Sequence, residues 1–305
     1  MAMAHSTPPP VTTYDPFPAL PPDHLTVSFS NVVRLTRAAE HVYTQLKTNS
    51  DEGNQYIVVL GLSNYAIQRL KDEPHILGVP CRLEFDGSTA IIKVKPGDNH
   101  EGPVNLLISY MVVKFAMMGI PPGQCRFRGA ARRTGTVTTK AKEPDQSFYP
   151  PSRIGVPGPA RPWPTVVIDV GNSDCLPKMR MDALWWFNNS QGDVRIAIVM
   201  KVEARSRSIL IEKWQLAPPN TPLLTQVIID GFRQSNPPAL PPLVRQPAAT
   251  QQAYSIQEIT VTTTSATAQL VLPFHAMYDR PPVPPEADIV FTVQELIELT
   301  GDVWV

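Results

Sequence analysis

The sequence predicts an α/β protein, a mixed sheet flanked by helices with a β-rich extension at its C-terminal end. Three observations carry this. Residues 165–202 read strand, helix, strand, the form of a right-handed crossover unit. The apolar run 104–120 is 17 residues long and contains Asn105, Ser109 and Lys114, so it reads as a buried helix. A spanning helix would need about 20 predominantly apolar residues. Beyond a proline-rich break, 255–264 and 269–277 alternate as strands.

Taken in chain order, residues 1–25 form a proline-rich arm in extended conformation. Ser30 or Asn31 caps a helix whose apolar face is Val32, Val33, Leu35, Ala39, Val42 and Leu46. A strand at 56–60 and a short helix at 63–71 follow. Gly87-Ser88 supplies the turn of a hairpin between 82–86 and 89–95. The apolar helix runs from about Asn99 to Met118 and ends at Gly119 before Pro121-Pro122. Residues 126–129 and 134–142 are expected to be two joined strands, and 150–164 a proline-rich loop. The buried strand 165–170 leads to a helix over 177–189, with proline in its first turn and Gly192 past its end. A hairpin joins 195–202 to 208–214, 237–247 is a loop with five prolines, and 292–299 is a short helix. The expected organisation is an arm at 1–25, a helical and hairpin region at 26–98, a core at 99–217 and an extension at 218–305.

Composition excludes several classes. Basic and acidic side chains number 27 each, so no net charge favours a polyanion, although local patches remain open. An apolar fraction of 43% is too high for a wholly disordered chain. Cys81, Cys125 and Cys175 are too few and too scattered for a disulfide framework or a zinc site, which fits an intracellular compartment, cytoplasm or nucleus. The six histidines show no metal-ligand spacing, and no membrane association is expected.

The chemistry-bearing stretch is TVVIDVGNSD, residues 165–174. A carboxylate at Asp169 inside an apolar strand is costly unless it is paired, hydrogen-bonded or metal-bound. Asp145 lies 24 residues upstream, enough for a loop and a return strand, so the two acids can meet at neighbouring strand ends. Such a pair suits magnesium, or manganese in its place, and metal-assisted hydrolysis of a phosphodiester. The plainer role for each is to cap a turn or bind backbone amides. Arg126, Arg128, Arg132, Arg133, Lys140 and Lys142 form a basic stretch without an acid among them. Of these, Arg126, Arg128, Lys140 and Lys142 fall at even spacings that would let them track a nucleic-acid backbone. Trp185, Trp186 and Phe187 fit a core at helical spacing beside Met179 and Ala183.

Pro144-Asp145, then Asp169-Val170-Gly171-Asn172-Ser173, then the helix carrying Trp185-Trp186, resembles the PD-(D/E)xK nuclease-like superfamily. More narrowly it resembles restriction-endonuclease-like proteins with a Glu-Val-x-x-Ser stretch, including fungal ones, over about residues 100–215. The resemblance implies a restriction-endonuclease-like sheet and a magnesium-dependent nuclease. Asp145 and Asp169 would hold the ion, Glu101 would act as an accessory acid, and Lys178 would be a relocated catalytic lysine. Two departures stand out: Asp169 is one methylene shorter than the usual glutamate, and Gly171 fills the usual lysine position. Asp182 stands where the narrower family would place a lysine. Two rivals therefore remain open: a non-catalytic descendant that binds nucleic acid or protein, and an interaction protein that uses its proline-rich segments.

Overall fold

The computed structural model describes residues 19–73, 75–95, 98–138, 140–155, 162–172, 175–203 and 205–301, with backbone alone at 98–101 and 172. Residues 1–18 of the expected arm and 156–161 of the expected loop lie outside the described residues. The chain opens with β1 (Leu25–Ser28), α1 (Val32–Thr48), β2 (Tyr56–Leu60) and α2 (Asn64–Asp72). Asn31 caps α1 by accepting the Arg34 N–H at 2.9 Å, and Ser63 caps α2 in the same way. The hairpin β3 (Cys81–Asp86) and β4 (Thr89–Val94) turns at Gly87, whose φ of 55° favours glycine. Then come α3 (Asp98–Met117) and four short strands: β5 (Arg126–Phe127), β6 (Arg133–Thr134), β7 (Ala141–Lys142) and β8 (Gln146–Tyr149). The crossover unit is β9 (Val166–Asn172), α4 (Leu176–Ser190) and β10 (Ile196–Glu203), followed by β11 (Ser208–Leu216) and α5 (Gln226–Gln234). The chain closes with β12 (Ala253–Thr262), β13 (Leu270–Leu272), α6 (Phe274–Tyr278), β14 (Ile289–Phe291) and α7 (Val293–Glu298).

Two six-stranded mixed sheets form, ordered β1-β2-β4-β3-β7-β6 and β12-β11-β10-β9-β8-β5. Neither is built from one stretch of chain. The first borrows β6 and β7 from the loop between β5 and β8, and the second takes β12 from beyond residue 218. In the second sheet β9 and β10 are parallel, and β8 pairs antiparallel with β9. The order α3, β5–β8 hairpin, β9, α4, β10 around this sheet is that of a restriction-endonuclease-like fold. Strand β9 is covered on both faces, which explains its unbroken apolar run. Val166, Ile168 and Val170 join the cluster of Leu107, Met111 and Phe115 from α3. Val167 joins that of Met179, Ala183 and Trp186 from α4. Asp169, by alternation, shares the α4 face.

Three expectations are corrected. Residues 126–129 and 134–142 are not one hairpin: β5 pairs with β8, whereas β6 and β7 pair with each other and extend the other sheet. Residues 269–277 are not one strand, because Pro273 ends β13 and opens α6. Strand β1 and helix α5 carried no recognised signal. No helix among the described residues is long and apolar enough to cross a membrane.

Candidate functional site

The register places Gln146 opposite Ile168, so the next pair outward is Asp145 opposite Asp169. The Asp145 amide donates to Asp169 Oδ1 at 3.3 Å, and the Val170 amide donates to Asp145 Oδ2 at 2.8 Å. Trp186 Nε1 donates to Asp169 Oδ2 at 3.1 Å. The two acids therefore stand side by side on adjacent strands, each fixed by backbone or indole donors.

The other sheet supplies what faces them. On β3 and β4 the residues Leu83, Phe85, Ala90, Ile92 and Val94 point into the N-terminal core. Alternation turns Arg82, Glu84, Ile91 and Lys93 the opposite way, with Lys95 just past the end of β4. Three of these converge on Asp145. Lys93 Nζ lies 3.2 Å from Oδ2 and also donates to the Val170 carbonyl. Lys95 Nζ lies 3.3 Å from Oδ1, and Arg82 Nε 3.5 Å from it. The Asp145 side chain is 3% exposed. Burial alone would raise its pKa, but the three cations outweigh burial and hold it well below the usual carboxylate range. Asp169 behaves oppositely: burial, then the Asp145 charge, pushes its carboxyl up.

A second cluster adjoins the first. Glu84 Oε2 lies 3.0 Å from Lys142 Nζ and 2.8 Å from Lys178 Nζ, and both lysines also pair with Asp182. Burial would raise the Glu84 carboxyl, but these ammoniums hold it down at about 2 against an ordinary 4.5. Its sign follows from that depression: the stabilisation is present above about pH 4.5 and is lost as pH falls toward 2. Acid titration of stability should therefore show a loss over that window in the wild type. The loss should be much smaller in Glu84→Gln, measured by urea unfolding at each pH.

The predicted site residues thus divide. Asp145 and Asp169 are together, and Lys178 stands in the adjoining cluster, bonded to Glu84 rather than to either acid. Glu101 is in the first turns of α3, and its side chain lies outside the described residues. The four basic residues do not share one face, because the strand pairing splits them. Arg126 is on β5 and donates to the Gly123 carbonyl, and Arg128 stacks over Tyr149. Lys140 pairs at 3.8 Å with Glu84 and 3.5 Å with Asp86, and Lys142 is buried. Arg82, Glu84, Lys93 and Lys95 were not singled out in the sequence. Their period-two alternation with apolar residues reads there as the solvent side of a hairpin.

The surroundings do not fit a divalent cation. Among the described residues no group of three His, Cys, Asp or Glu side chains could hold one. At about 4 Å and an effective dielectric of about 20, a unit pair interacts by about 4 kcal/mol. A double charge beside Asp145 would meet three cations at that scale against two carboxylates, so repulsion exceeds attraction. The position two residues after Asp169 is closed to a lysine as well. A Cβ on Gly171 would come 3.0 Å from Cys175 Cβ and Met179 Sδ. The cavity between the sheets measures about 40 Å³ and is lined by Arg82, Glu84, Lys93, Asp145, Asp169 and Lys178, among others. That is room for a few waters, each needing about 10–15 Å³, and not for a nucleotide.

No protein-family model and no curated protein matches the chain. Among solved structures, the chain is similar to a crystal structure from Anabaena variabilis ATCC 29413 described as a "putative nuclease belonging to DUF820". The match covers 48% of this chain and 82% of that one, at 14% identity and a TM-score of 0.32. A likeness of that size decides nothing about chemistry, and the fold class rests on the strand order given above.

Proposed function

We propose that this chain is a non-catalytic member of the restriction-endonuclease-like fold, an interaction protein whose ancestral metal site has become an ionic joint between two sheets. One observation carries the reading: the Asp145 carboxylate, the first acid of the nuclease pattern, is ringed by Arg82, Lys93 and Lys95. A hydrolase would need that carboxylate free to hold a metal and a general base free to activate water. Here the acid is spent on three cations, and Lys178 on Glu84 and Asp182.

A protein partner is favoured over nucleic acid because the basic stretch is largely consumed within the fold. Arg132 pairs with Glu143, Arg133 bonds Tyr149 and the Pro162 carbonyl, and Lys142 is buried. The test is incubation with single- and double-stranded DNA and RNA in magnesium or manganese, with Asp145→Asn in parallel. No cleavage by either protein, and no binding that falls with salt, is the expected result. Metal-dependent cleavage abolished by Asp145→Asn would overturn the reading in favour of a magnesium-dependent nuclease.

A further inference from the structure

Beside the ionic joint, a separate cleft of about 370 Å³ opens between α4, the 135–138 loop and the hairpin face carrying Glu84 and Ile91. That volume lies within the range of about 300–1,000 Å³ typical of small-molecule sites. Its wall is built rather than incidental. Asn189, at the end of α4, accepts from the Thr138 amide at 3.2 Å and the Thr138 hydroxyl at 3.0 Å through Oδ1. The Asn189 carbonyl accepts from both the Thr136 amide and its hydroxyl. Gly135 makes this clamp possible, since a Cβ there would come 2.2 Å from Asn189 Oδ1.

The lining has a definite imbalance. Its apolar part is Ile91, Val137, Met181 and Leu184, with Val137 55% and Met181 44% exposed. The acceptors Glu84, Asp182 and Asn189 Oδ1 already have donors. The unmet groups are donors. Trp185 Nε1–H is buried without a hydrogen-bond partner among the described residues, and Lys140 makes only the two long ion pairs to Glu84 and Asp86. A buried donor without an acceptor is costly enough to call for one. A polyanion is a poor candidate, because Glu84, Asp182 and the rim residue Asp86 would repel its further charges.

We infer that this cleft binds a small apolar monocarboxylate. The acid would accept from Trp185 Nε1–H and the Lys140 ammonium, and the apolar body would lie along Val137, Met181 and Leu184. The inference stands apart from the non-catalytic reading, since the cleft holds neither Asp145 nor Asp169.

The probes are 4-phenylbutyrate and octanoate, titrated by calorimetry into the full chain, with 4-phenylbutyramide and inorganic phosphate as controls. Saturable binding of the carboxylates is expected. The amide, Trp185→Phe and Lys140→Ala should each weaken it about tenfold or more, as loss of a charge-assisted or buried hydrogen bond does. Lys140 is partly exposed, so its variant keeps the fold even if Trp185→Phe disturbs it. No saturable carboxylate binding, unchanged affinity in Lys140→Ala, or phosphate binding as tightly as the carboxylates would each overturn the inference.

Discussion

Asp145→Asn should lower the stability of this protein by about 3 kcal/mol or more, the scale seen when one partner of a buried ion pair is removed. The substitution keeps shape and keeps an acceptor for the Val170 amide, so the loss is one of charge. Arg82, Lys93 and Lys95 would be left facing one another around a neutral amide, with the Lys93 and Lys95 side chains 14% and 5% exposed. The sign is what discriminates. In a hydrolase without its metal, two neighbouring carboxylates repel, and neutralising one relieves strain built in for function. Here neutralisation should destabilise. Combining it with Lys93→Met should restore part of the loss, because the two residues share one network and cannot contribute additively. Equilibrium urea unfolding of the three variants reads both effects; a stabilised Asp145→Asn would be the opposite of the expected result.

The second large effect is expected far from this joint, where the C-terminal segment meets the core. Asp279 Oδ1 lies 3.2 Å from Arg195 Nε, and Oδ2 pairs with Arg153 Nε at 2.5 Å. Arg153 also donates from one guanidinium nitrogen to the carbonyls of Trp163, Pro164 and Asp193. Arg195 is 6% exposed by side chain, and burial already presses its pKa down. Asp279 itself has φ 53°, a conformation that asparagine tolerates as well as aspartate does. Asp279→Asn therefore isolates charge from backbone strain. A loss of about 2 kcal/mol is expected, discounted from the fully buried case because Asp279 is 19% exposed. Thermal unfolding should remain a single transition at a lower Tm, since α6 and β14 share the core cluster of β9 and β10.

The sequence was most legible where a single periodicity dominates. Strand β9 could be read from its apolar run, α4 from Pro177 and Gly192 at its two ends, and the β3–β4 hairpin from Gly87. Asp145 and Asp169 could be singled out because a carboxylate in an apolar strand demands an explanation. What covers them could not be read. Lys93 is 52 residues from Asp145 and 77 from Val170, and nothing local in RLEFD or TAIIKV marks its polar face as an inner one. The expected Arg126–Lys142 strand pair failed for a related reason. Two-residue strands such as β6 and β7 carry almost no pattern of their own, and the sheet they joined was set by tertiary contacts.

The most direct measurement is the thermal stability of the wild type in magnesium or manganese against a potassium control of matched ionic strength. A ligand that binds only the native state at about 100 times its Kd adds about 2.7 kcal/mol. With Arg82, Lys93 and Lys95 already holding Asp145, an unchanged Tm is expected across the titration. A Tm that rises with either metal in the wild type and stays flat in Asp145→Asn would contradict the ionic joint and place a divalent cation at this pair of acids.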